Sequence, residues 1–325
     1  MDDPPTIDDC NCSPRPVEPI RSQRWNWRAF PGFVTGIRRT IGLVPALALA
    51  GCVNVPDTHQ LMIAGASAPA TTANAACDVP AAPGDAHPAK EAILDAADLR
   101  LMIWNVQKAR NPGWSDDFLR LGMPMDILLL QEAHLTERFS TTIRQSGFHW
   151  SMAHAFSYSG AGTGVLTASR TPASRTCLTK KAEPLLRLPK SALMTWHSLG
   201  DTGGELLLAN LHGINFSTGT GRFSEQLDEV ADILRSHEGP LVLAGDFNDW
   251  SERRSALLES LAGELGLLRL ALSHDTRSRH FGRPVDHVFY RGLDVLEARS
   301  EVVTSSDHNP LLVRFRLPGH HEERL

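Results

Sequence analysis

The stretch Ser305-Ser306-Asp307-His308-Asn309-Pro310 places an acid and an imidazole directly before the apolar run Leu311-Leu312-Val313. A second polar group, Gly245-Asp246-Phe247-Asn248, directly follows another apolar run, and Asn105 and Glu132 close two more. Apolar runs of this length are typical of buried strands. Metal-binding residue types that recur at strand ends therefore indicate one active site assembled from several loops.

The hydrophobic pattern between these polar ends predicts many strands and few helices. Strands are predicted at residues 99–106, 126–132, 162–169, 191–199, 206–211, 241–244, 285–290 and 311–317, and helices at 115–121, 136–146, 222–237 and 255–265. No regular βαβ alternation is present and no Gly-x-Gly-x-x-Gly opens a helix, which argues against a dinucleotide-binding fold. The pattern predicts a two-sheet sandwich with helices packed outside.

The composition suits one large globular domain with appendages, since the chain has 325 residues, 42% of them hydrophobic and 21% charged. The formal net charge is −5, and from Leu99 onward 25 Lys and Arg residues balance 26 Asp and Glu residues. Proteins that bind duplex DNA usually carry a basic footprint. The bulk charge of this chain shows none.

Residues 1–52 have the features of an export leader. Arg38-Arg39-Thr40 precedes an apolar stretch, residues 41–50, that is too short to span a bilayer stably. Leu49-Ala50-Gly51-Cys52 resembles a bacterial lipobox, in which the cysteine is lipidated. We therefore predict an exported lipoprotein that is attached to a membrane through Cys52 and faces the periplasm or the cell exterior. An ordinary signal peptide and a buried helix are the alternatives. Translation that begins at Val34 would remove the long segment before the signal.

Residues 53–97 are rich in Ala, Pro, Thr and Gly and show no apolar period. This composition predicts a flexible linker to a domain of residues 98–318, with residues 319–325 as a tail. Two of the five cysteines, Cys77 and Cys177, follow the leader. In an exported protein they either form a disulfide or remain isolated thiols.

Several polar strand ends have two interpretations. Glu132 with Asn105 supplies the oxygen ligands that Mg²⁺ prefers, with Mn²⁺ as an alternative, but Glu132 also fits a solvated strand end. Asp246 and Asn248 share a face of an extended backbone, where the acid can accept a proton from water and the amide can hold that water. The same two residues also fit an Asx turn.

The imidazoles complete the chemistry. His308 can stabilise charge on a phosphoryl group or protonate a leaving oxygen, and Asp307 beside it offers a carboxylate to a metal. Asp286 is the natural acceptor that would orient His308. His212 is a second imidazole for the phosphate, although a lone histidine at that position is more often structural. Since no serine-nucleophile, zinc-protease or phosphate-loop motif is present, the set favours a metal-dependent phosphoesterase.

The motifs Trp-Asn-Val, Leu-Gln-Glu, Asn-Leu-His-x-x-Asn, Gly-Asp-Phe-Asn, Val-Asp-His-Val-Phe and Ser-Asp-His-Asn-Pro occur in this order within about residues 98–317. In this order they resemble the endonuclease/exonuclease/phosphatase superfamily. The resemblance implies a DNase I-like four-layer α/β sandwich, in which helices flank two mostly antiparallel sheets. It also implies Mg²⁺-dependent cleavage of a phosphoester by activated water.

The resemblance assigns a role to each polar strand end. It implies that Asn105, Glu132 and Asp307 lie at the metal. Asp246 would orient or deprotonate the attacking water, with Asn248 beside it.

The remaining roles concern the phosphate. The resemblance implies that Asp286 supports His308 and that His212 and Asn215 contact the phosphate. Asn-Leu-His-Gly-Ile-Asn-Phe with Phe-Tyr-Arg-Gly-Leu further resembles the bacterial YafD-like subgroup. The abasic-site repair branch typically has Tyr where His212 stands, so this chain is more similar to the DNase I and sphingomyelinase branches. Nucleic acid and phospholipid are both expected substrate classes. A non-catalytic binding module with the same fold is the competing hypothesis.

Overall fold

The computed structural model describes residues 53–66, 68–72, 76–80, 94–200, 204–217 and 219–319. The predicted leader, including Cys52 and the start at Val34, lies outside these residues. The strands are β1 Val53–Asn54, β2 His59–Ile63, β3 Ala70–Thr72, β4 Ala76–Pro80, β5 Leu99–Asn105, β6 Ile127–His134, β7 His149–Tyr158, β8 Ala161–Ser169, β9 Arg175–Ala182, β10 Pro189–Ser198, β11 Glu205–His212, β12 Leu241–Asp246, β13 Leu268–Arg269, β14 Arg279–His280, β15 Arg283–Pro284, β16 Asp286–Arg291, β17 Asp294–Ser300 and β18 Leu311–Arg316. The helices are α1 Trp114–Asp117, α2 Glu137–Gln145, α3 Gly221–Leu234 and α4 Glu252–Glu264, with a 3-10 turn at Gln107–Ala109 and a π-turn at Phe118–Gly122.

Two large sheets form the centre of the fold. The first sheet has the order β17-β18-β5-β6-β8-β7-β2-β3, with β1 also paired to β7, and the second has the order β13-β16-β12-β11-β10-β9-β4. All pairs are antiparallel except β5 with β6 in the first sheet and β11 with β12 in the second. β14 and β15 form a separate two-stranded hairpin.

The period-2 pattern of the strands divides the core into layers. In β5, Leu101 and Ile103 face the apolar layer between the two sheets, whereas Met102 and Trp104 face an outer layer that contains α1 and α2. On the opposite side, residues of α3 such as Phe223 pack with α4 against the outer face of the second sheet. The order helix, sheet, sheet, helix confirms the predicted four-layer α/β sandwich.

Each predicted strand and helix of residues 98–318 corresponds to an element of the same type, with ends that differ by a few residues. Three longer strands, β7, β9 and β17, were not predicted. They carry polar or small residues at several positions, and their apolar and polar residues alternate irregularly. The period-2 hydrophobic pattern is therefore weak in these strands. Pairing with neighbouring strands supplies the stability that local sequence does not reveal.

The prediction of a flexible linker is wrong for the described parts of residues 53–80. β2 pairs with both β3 and β7, and β4 pairs with β9, so this segment extends an edge of each sheet. Leu61 is buried while its neighbours in β2 are half-buried, which explains why no apolar period is visible. Backbone hydrogen bonds at a sheet edge do not require an apolar sequence.

Cys77 and Cys177 form a disulfide between β4 and β9, with Cα atoms 4.2 Å apart. Of the two interpretations that the sequence left open, the structure shows the paired one. Among the described helices, none is long and apolar enough to cross a bilayer.

Candidate active site

The strand register brings the predicted polar residues to one edge of the sandwich. His212 pairs with Asp246 across the parallel strands β11 and β12, and Asp246 pairs with Asp286 across β12 and β16. In the first sheet, Asn105 ends β5. His308 lies in the loop before β18, whose first residue pairs near the end of β5. Parallel strands end at the same edge of a sheet, and an antiparallel neighbour begins at that edge, so five distant segments meet there.

Two glycines allow β11 and β12 to approach closely at this edge. A Cβ atom on Gly245 would lie 2.0 Å from the carbonyl oxygen of Leu211, and Gly245 has a φ of +141°. A Cβ atom on Gly213 would lie 2.1 Å from the carbonyl oxygen of Phe247. No side chain fits at either position without moving backbone, so the glycines fix the spacing of His212 and Asp246.

The carboxylate of Asp246 lies at the centre of the site and is buried. Asn105 donates a hydrogen bond through Nδ2 to Asp246 Oδ2 at 3.0 Å. The same oxygen lies 3.5 Å from His212 Nε2 and 3.9 Å from His308 Nε2. Asp246 Oδ1 accepts the backbone N–H of Asn248 at 3.1 Å, which is an Asx turn. The turn and the site are therefore compatible, since they use different oxygens.

His308 is held by Asp286 and by its own loop. Its Nδ1 lies 2.8 Å and 3.0 Å from the two carboxylate oxygens of Asp286. Burial lowers the pKa of His308, but the charges of Asp286, Asp246 and Asp307 raise it to about 10. The imidazole is therefore protonated at neutral pH, with Nδ1 donating to Asp286 and Nε2 on the side of Asp246.

The loop that carries His308 is fixed by hydrogen bonds to β5. Trp104 donates through Nε1 to the carbonyl oxygen of His308 at 2.9 Å. Ser306 donates through Oγ to the carbonyl oxygen of Asn105 at 2.6 Å and accepts the backbone N–H of His308 at 3.1 Å. These contacts couple the position of His308 to the end of β5.

Glu132 lies at a β-bulge in β6, where the pairing register with β8 shifts. Its φ is +52°, an unusual value for a residue with a side chain. The carboxylate forms an ion pair with Lys108, which follows Asn105 in a turn of positive φ. Burial raises the pKa of Glu132, whereas His212, Lys108 and Lys190 lower it, and the balance is a pKa of about 2. Glu132 is thus an ionised carboxylate.

His212 faces a lysine that sequence reasoning missed. Lys190, at the start of β10, places Nζ 2.8 Å from His212 Nε2. An ammonium group only donates, so Nε2 of His212 is the acceptor and the imidazole is neutral. Burial and then the charge of Lys190 lower the pKa of His212 to about 3. The positive charge at this side of the site belongs to Lys190 rather than to His212.

Replacing Lys190 by methionine is expected to raise the pKa of His212 toward, but not to, its usual value, because burial remains when the charge is removed. Histidine resonances followed by NMR across a pH titration measure this shift. Phosphoester hydrolysis is expected to fall about 10- to 100-fold with the lost charge. The matched control is Lys180→Met, since Lys180 donates to the carbonyl oxygens of Pro56 and Thr58 away from the site. An unchanged His212 titration would contradict the assignment.

Two groups of residues have the donor atoms for a metal. Asp246, Asp286 and His308 offer ligand atoms within 4.8 Å of one another. However, the Nδ1 proton of His308 is shared with Asp286, and a protonated imidazole repels a cation. The second group contains the predicted ligands Asn105 and Glu132.

The second group supplies oxygen donors of the kind that hard divalent cations bind. Glu132 is ionised at neutral pH, as its pKa of about 2 requires. Oδ1 of Asn105 accepts the backbone N–H of Gln107 at 3.1 Å and keeps a second lone pair. The third predicted ligand, Asp307, is exposed, and its Oδ1 lies 3.5 Å from Ser306 Oγ. The donor types of these three residues suit a hard cation.

Two predicted residues make structural contacts. Asn248 donates through Nδ2 to the carbonyl oxygen of Gly213 at 3.1 Å and so joins the loops after β11 and β12. Asn215 accepts a hydrogen bond from Trp250 Nε1 at 3.0 Å, and its backbone N–H donates to buried Glu183 at 2.8 Å. The described contacts of Asn215 do not include the Asp246 cluster.

The sequence of this chain is similar to that of known proteins. A model of the Endonuclease/Exonuclease/phosphatase family matches residues 102–308. A UPF0294 protein of Vibrio cholerae is 42% identical over 232 residues, which cover 71% of this chain and 82% of that protein. A UPF0294 protein of Yersinia pestis is 41% identical and is covered to 88%, over 70% of this chain.

Solved structures show the same fold. The endonuclease/exonuclease/phosphatase from Beutenbergia cavernae is similar over 69% of this chain and 72% of its own, with a TM-score of 0.52 and 20% identity. The human Nocturnin catalytic domain, solved with a bound sulfate anion, is similar over 69% of this chain and 96% of its own, with a TM-score of 0.53 and 18% identity. The chain therefore belongs to the endonuclease/exonuclease/phosphatase family, whose members are phosphoester hydrolases.

Proposed function

We propose that this chain hydrolyses phosphodiesters with an activated water and requires Mg²⁺ or Mn²⁺. The proposal rests on the three groups that surround Asp246 Oδ2. This oxygen lies 3.0 Å from Asn105 Nδ2, 3.5 Å from His212 Nε2 and 3.9 Å from His308 Nε2. A buried carboxylate between an amide and two imidazoles can accept a proton while the imidazolium stabilises a phosphoryl group.

The roles follow from the protonation states. Asp246 accepts the proton of the attacking water, and the amide of Asn105 keeps the carboxylate oriented. His308, protonated and fixed by Asp286, donates its Nε2 proton toward the phosphoryl group or its leaving oxygen. Lys190 supplies positive charge for the anionic substrate on the opposite side.

Asn105 and Glu132, with Asp307, would hold the divalent cation. When bound, this cation would polarise a phosphoryl oxygen and neutralise its charge. In the structure Glu132 pairs with Lys108 through Oε2, so a divalent cation would share this carboxylate with Lys108 or take its place.

Removal of the metal tests the proposal. Treatment with a chelator is expected to lower the rate of bis(p-nitrophenyl) phosphate hydrolysis roughly a thousandfold, because the lost electrostatic stabilisation is worth several kcal/mol. Addition of Mg²⁺ or Mn²⁺ should restore it. Glu132→Gln is expected to need a higher Mg²⁺ concentration for half-maximal activity. A rate that the chelator leaves unchanged would show that the site works without a divalent cation.

The cellular location of the enzyme is proposed on separate grounds. We infer that the enzyme is exported and attached to a membrane through Cys52. The lipobox-like segment ending at Cys52 supports this, and so does the disulfide between Cys77 and Cys177, since disulfides persist in oxidising compartments.

A further inference from the structure

Four apolar side chains are strongly exposed beside the site. Leu185 is 66% exposed and Leu186 is 55% exposed in the turn between β9 and β10, Phe216 is 50% exposed after β11, and Phe281 is 87% exposed between β14 and β15. We call these four residues, together with the half-buried Trp250, the apolar lip. Exposed apolar groups that lie together usually mark a binding surface.

Direct contacts connect the segments of the apolar lip. Glu183, buried at the base of the turn that carries Leu185, accepts the backbone N–H of Asn215 at 2.8 Å and that of Phe216 at 3.4 Å. Asn215 in turn accepts a hydrogen bond from Trp250. The rings of Trp250 and Phe281 lie 5.5 Å apart. These contacts join the segments that carry the exposed residues, and the joined segments form a wall.

This wall reaches the catalytic cluster. His280 precedes Phe281 in the hairpin, and its ring centroid lies 5.7 Å from that of His308. At the other end, Lys190 follows the turn of Leu185 and Leu186 by a few residues and contacts His212. A molecule bound along the apolar lip would thus have its nearest polar group close to His308 and Lys190.

Arginines flank the apolar residues. Arg187 lies directly after Leu186, and Arg279 and Arg283 lie on either side of Phe281, and all three are exposed. Apolar side chains bordered by arginine are the combination that binds the interface of an anionic membrane, where the rings and leucines enter the acyl boundary and the arginines meet the headgroups.

We propose that the apolar lip binds a phospholipid surface and presents the phosphodiester of a lipid headgroup to His308. The proposal rests on the proposed hydrolysis and names its substrate class. Single-stranded nucleic acid is the competing occupant, since aromatic residues also stack on bases. Two of the most exposed residues, Leu185 and Leu186, offer no ring for stacking.

Co-sedimentation with vesicles tests the proposal, with the full chain carrying Cys52→Ser so that acylation cannot supply membrane binding. The vesicles contain phosphatidylglycerol and phosphatidylcholine. The variants are Phe281→Ser and the double change Leu185→Ser with Leu186→Ser. Leu268→Ser is the matched control, because Leu268 is 62% exposed on β13 at the edge of the second sheet. Each lip variant is expected to partition about tenfold more weakly than the parent.

The same samples are assayed on bis(p-nitrophenyl) phosphate, a soluble diester that does not need the membrane. Weaker vesicle binding by both lip variants, with unchanged hydrolysis of the soluble diester, supports the proposal. If the lip variants bind vesicles as strongly as the parent does, the proposal is overturned. It is also overturned if the parent binds single-stranded DNA but not vesicles. A parent that binds vesicles through the apolar lip but leaves the soluble diester intact would refute the proposed hydrolysis alone.

Discussion

Replacing His308 by alanine is expected to lower kcat for bis(p-nitrophenyl) phosphate about a thousandfold or more. The change removes a buried imidazolium whose pKa is raised to about 10 by the surrounding carboxylates of Asp286, Asp246 and Asp307. It also leaves Asp286 without its partner at 2.8 Å. The measurement is steady-state hydrolysis at saturating Mg²⁺, with circular dichroism to verify that the variant is folded.

His280 provides the control for this experiment. Its ring lies 5.7 Å from that of His308, so His280→Ala disturbs the same neighbourhood without removing the proposed acid. We expect His280→Ala to retain most of the activity. If the two alanine variants lost activity equally, the loss would reflect packing around the hairpin and not the chemistry of His308.

Asp246→Asn is expected to produce a loss of similar size, about a thousandfold in kcat. The substitution keeps the shape of the side chain but removes its ability to accept a proton from water. Asp246 Oδ2 also accepts the amide N–H of Asn105 at 3.0 Å, so the change disturbs the orientation of that amide. Hydrolysis rates of the folded variant across a range of pH measure the effect.

A second buried carboxylate three residues away allows a matched comparison. Asp249 lies 2.8 Å from His287 Nε2, which also makes it a buried acid beside an imidazole. The described contacts of Asp249 are with His287 and Ser255 and not with the Asp246 cluster. Asp249→Asn should therefore reduce stability more than catalysis. Equal kcat values for the two asparagine variants would refute a special role for Asp246.

Residue order alone predicted that polar residues from several strands meet at one edge of the fold. His212, Asp246 and Asp286 follow or open apolar runs, and such runs become adjacent strands whose ends share one edge. The orienting pair of Asp286 and His308 was likewise predicted, and the structure shows it at hydrogen-bond distance. The shared edge and the Asp286–His308 pair both depend on where strands end, and the hydrophobic pattern of the sequence shows those ends.

The roles of two lysines, Lys190 and Lys108, could not be predicted from the hydrophobic pattern. Lys190 opens a strand and Lys108 lies in a turn with positive φ, and neither position carries a motif. Their proximity to His212 and Glu132 arises from tertiary folding that brings separate strands together. The sequence predicted that His212 contacts the phosphate, but the neutral state of His212 depends on its proximity to Lys190 and could not be predicted.

The apolar lip and the strands of residues 53–80 were missed for a related reason. The lip residues belong to separate loops, and only contacts through Glu183, Asn215 and Trp250 place them side by side. Strands β3 and β4 lie at sheet edges and β2 lies next to one, where main-chain pairing rather than an apolar period holds them.

Hydrolysis of one generic phosphodiester tests the central claim most directly. Three samples are compared at equal protein concentration: the unsubstituted chain with Mg²⁺, the same chain with excess chelator, and His308→Ala with Mg²⁺. Catalysis by the cluster of Asp246, Asp286 and His308 with a bound cation predicts that only the first sample turns over. Equal rates in all three samples would contradict it, and equal rates no higher than the rate without protein would favour a binding module that retains the fold.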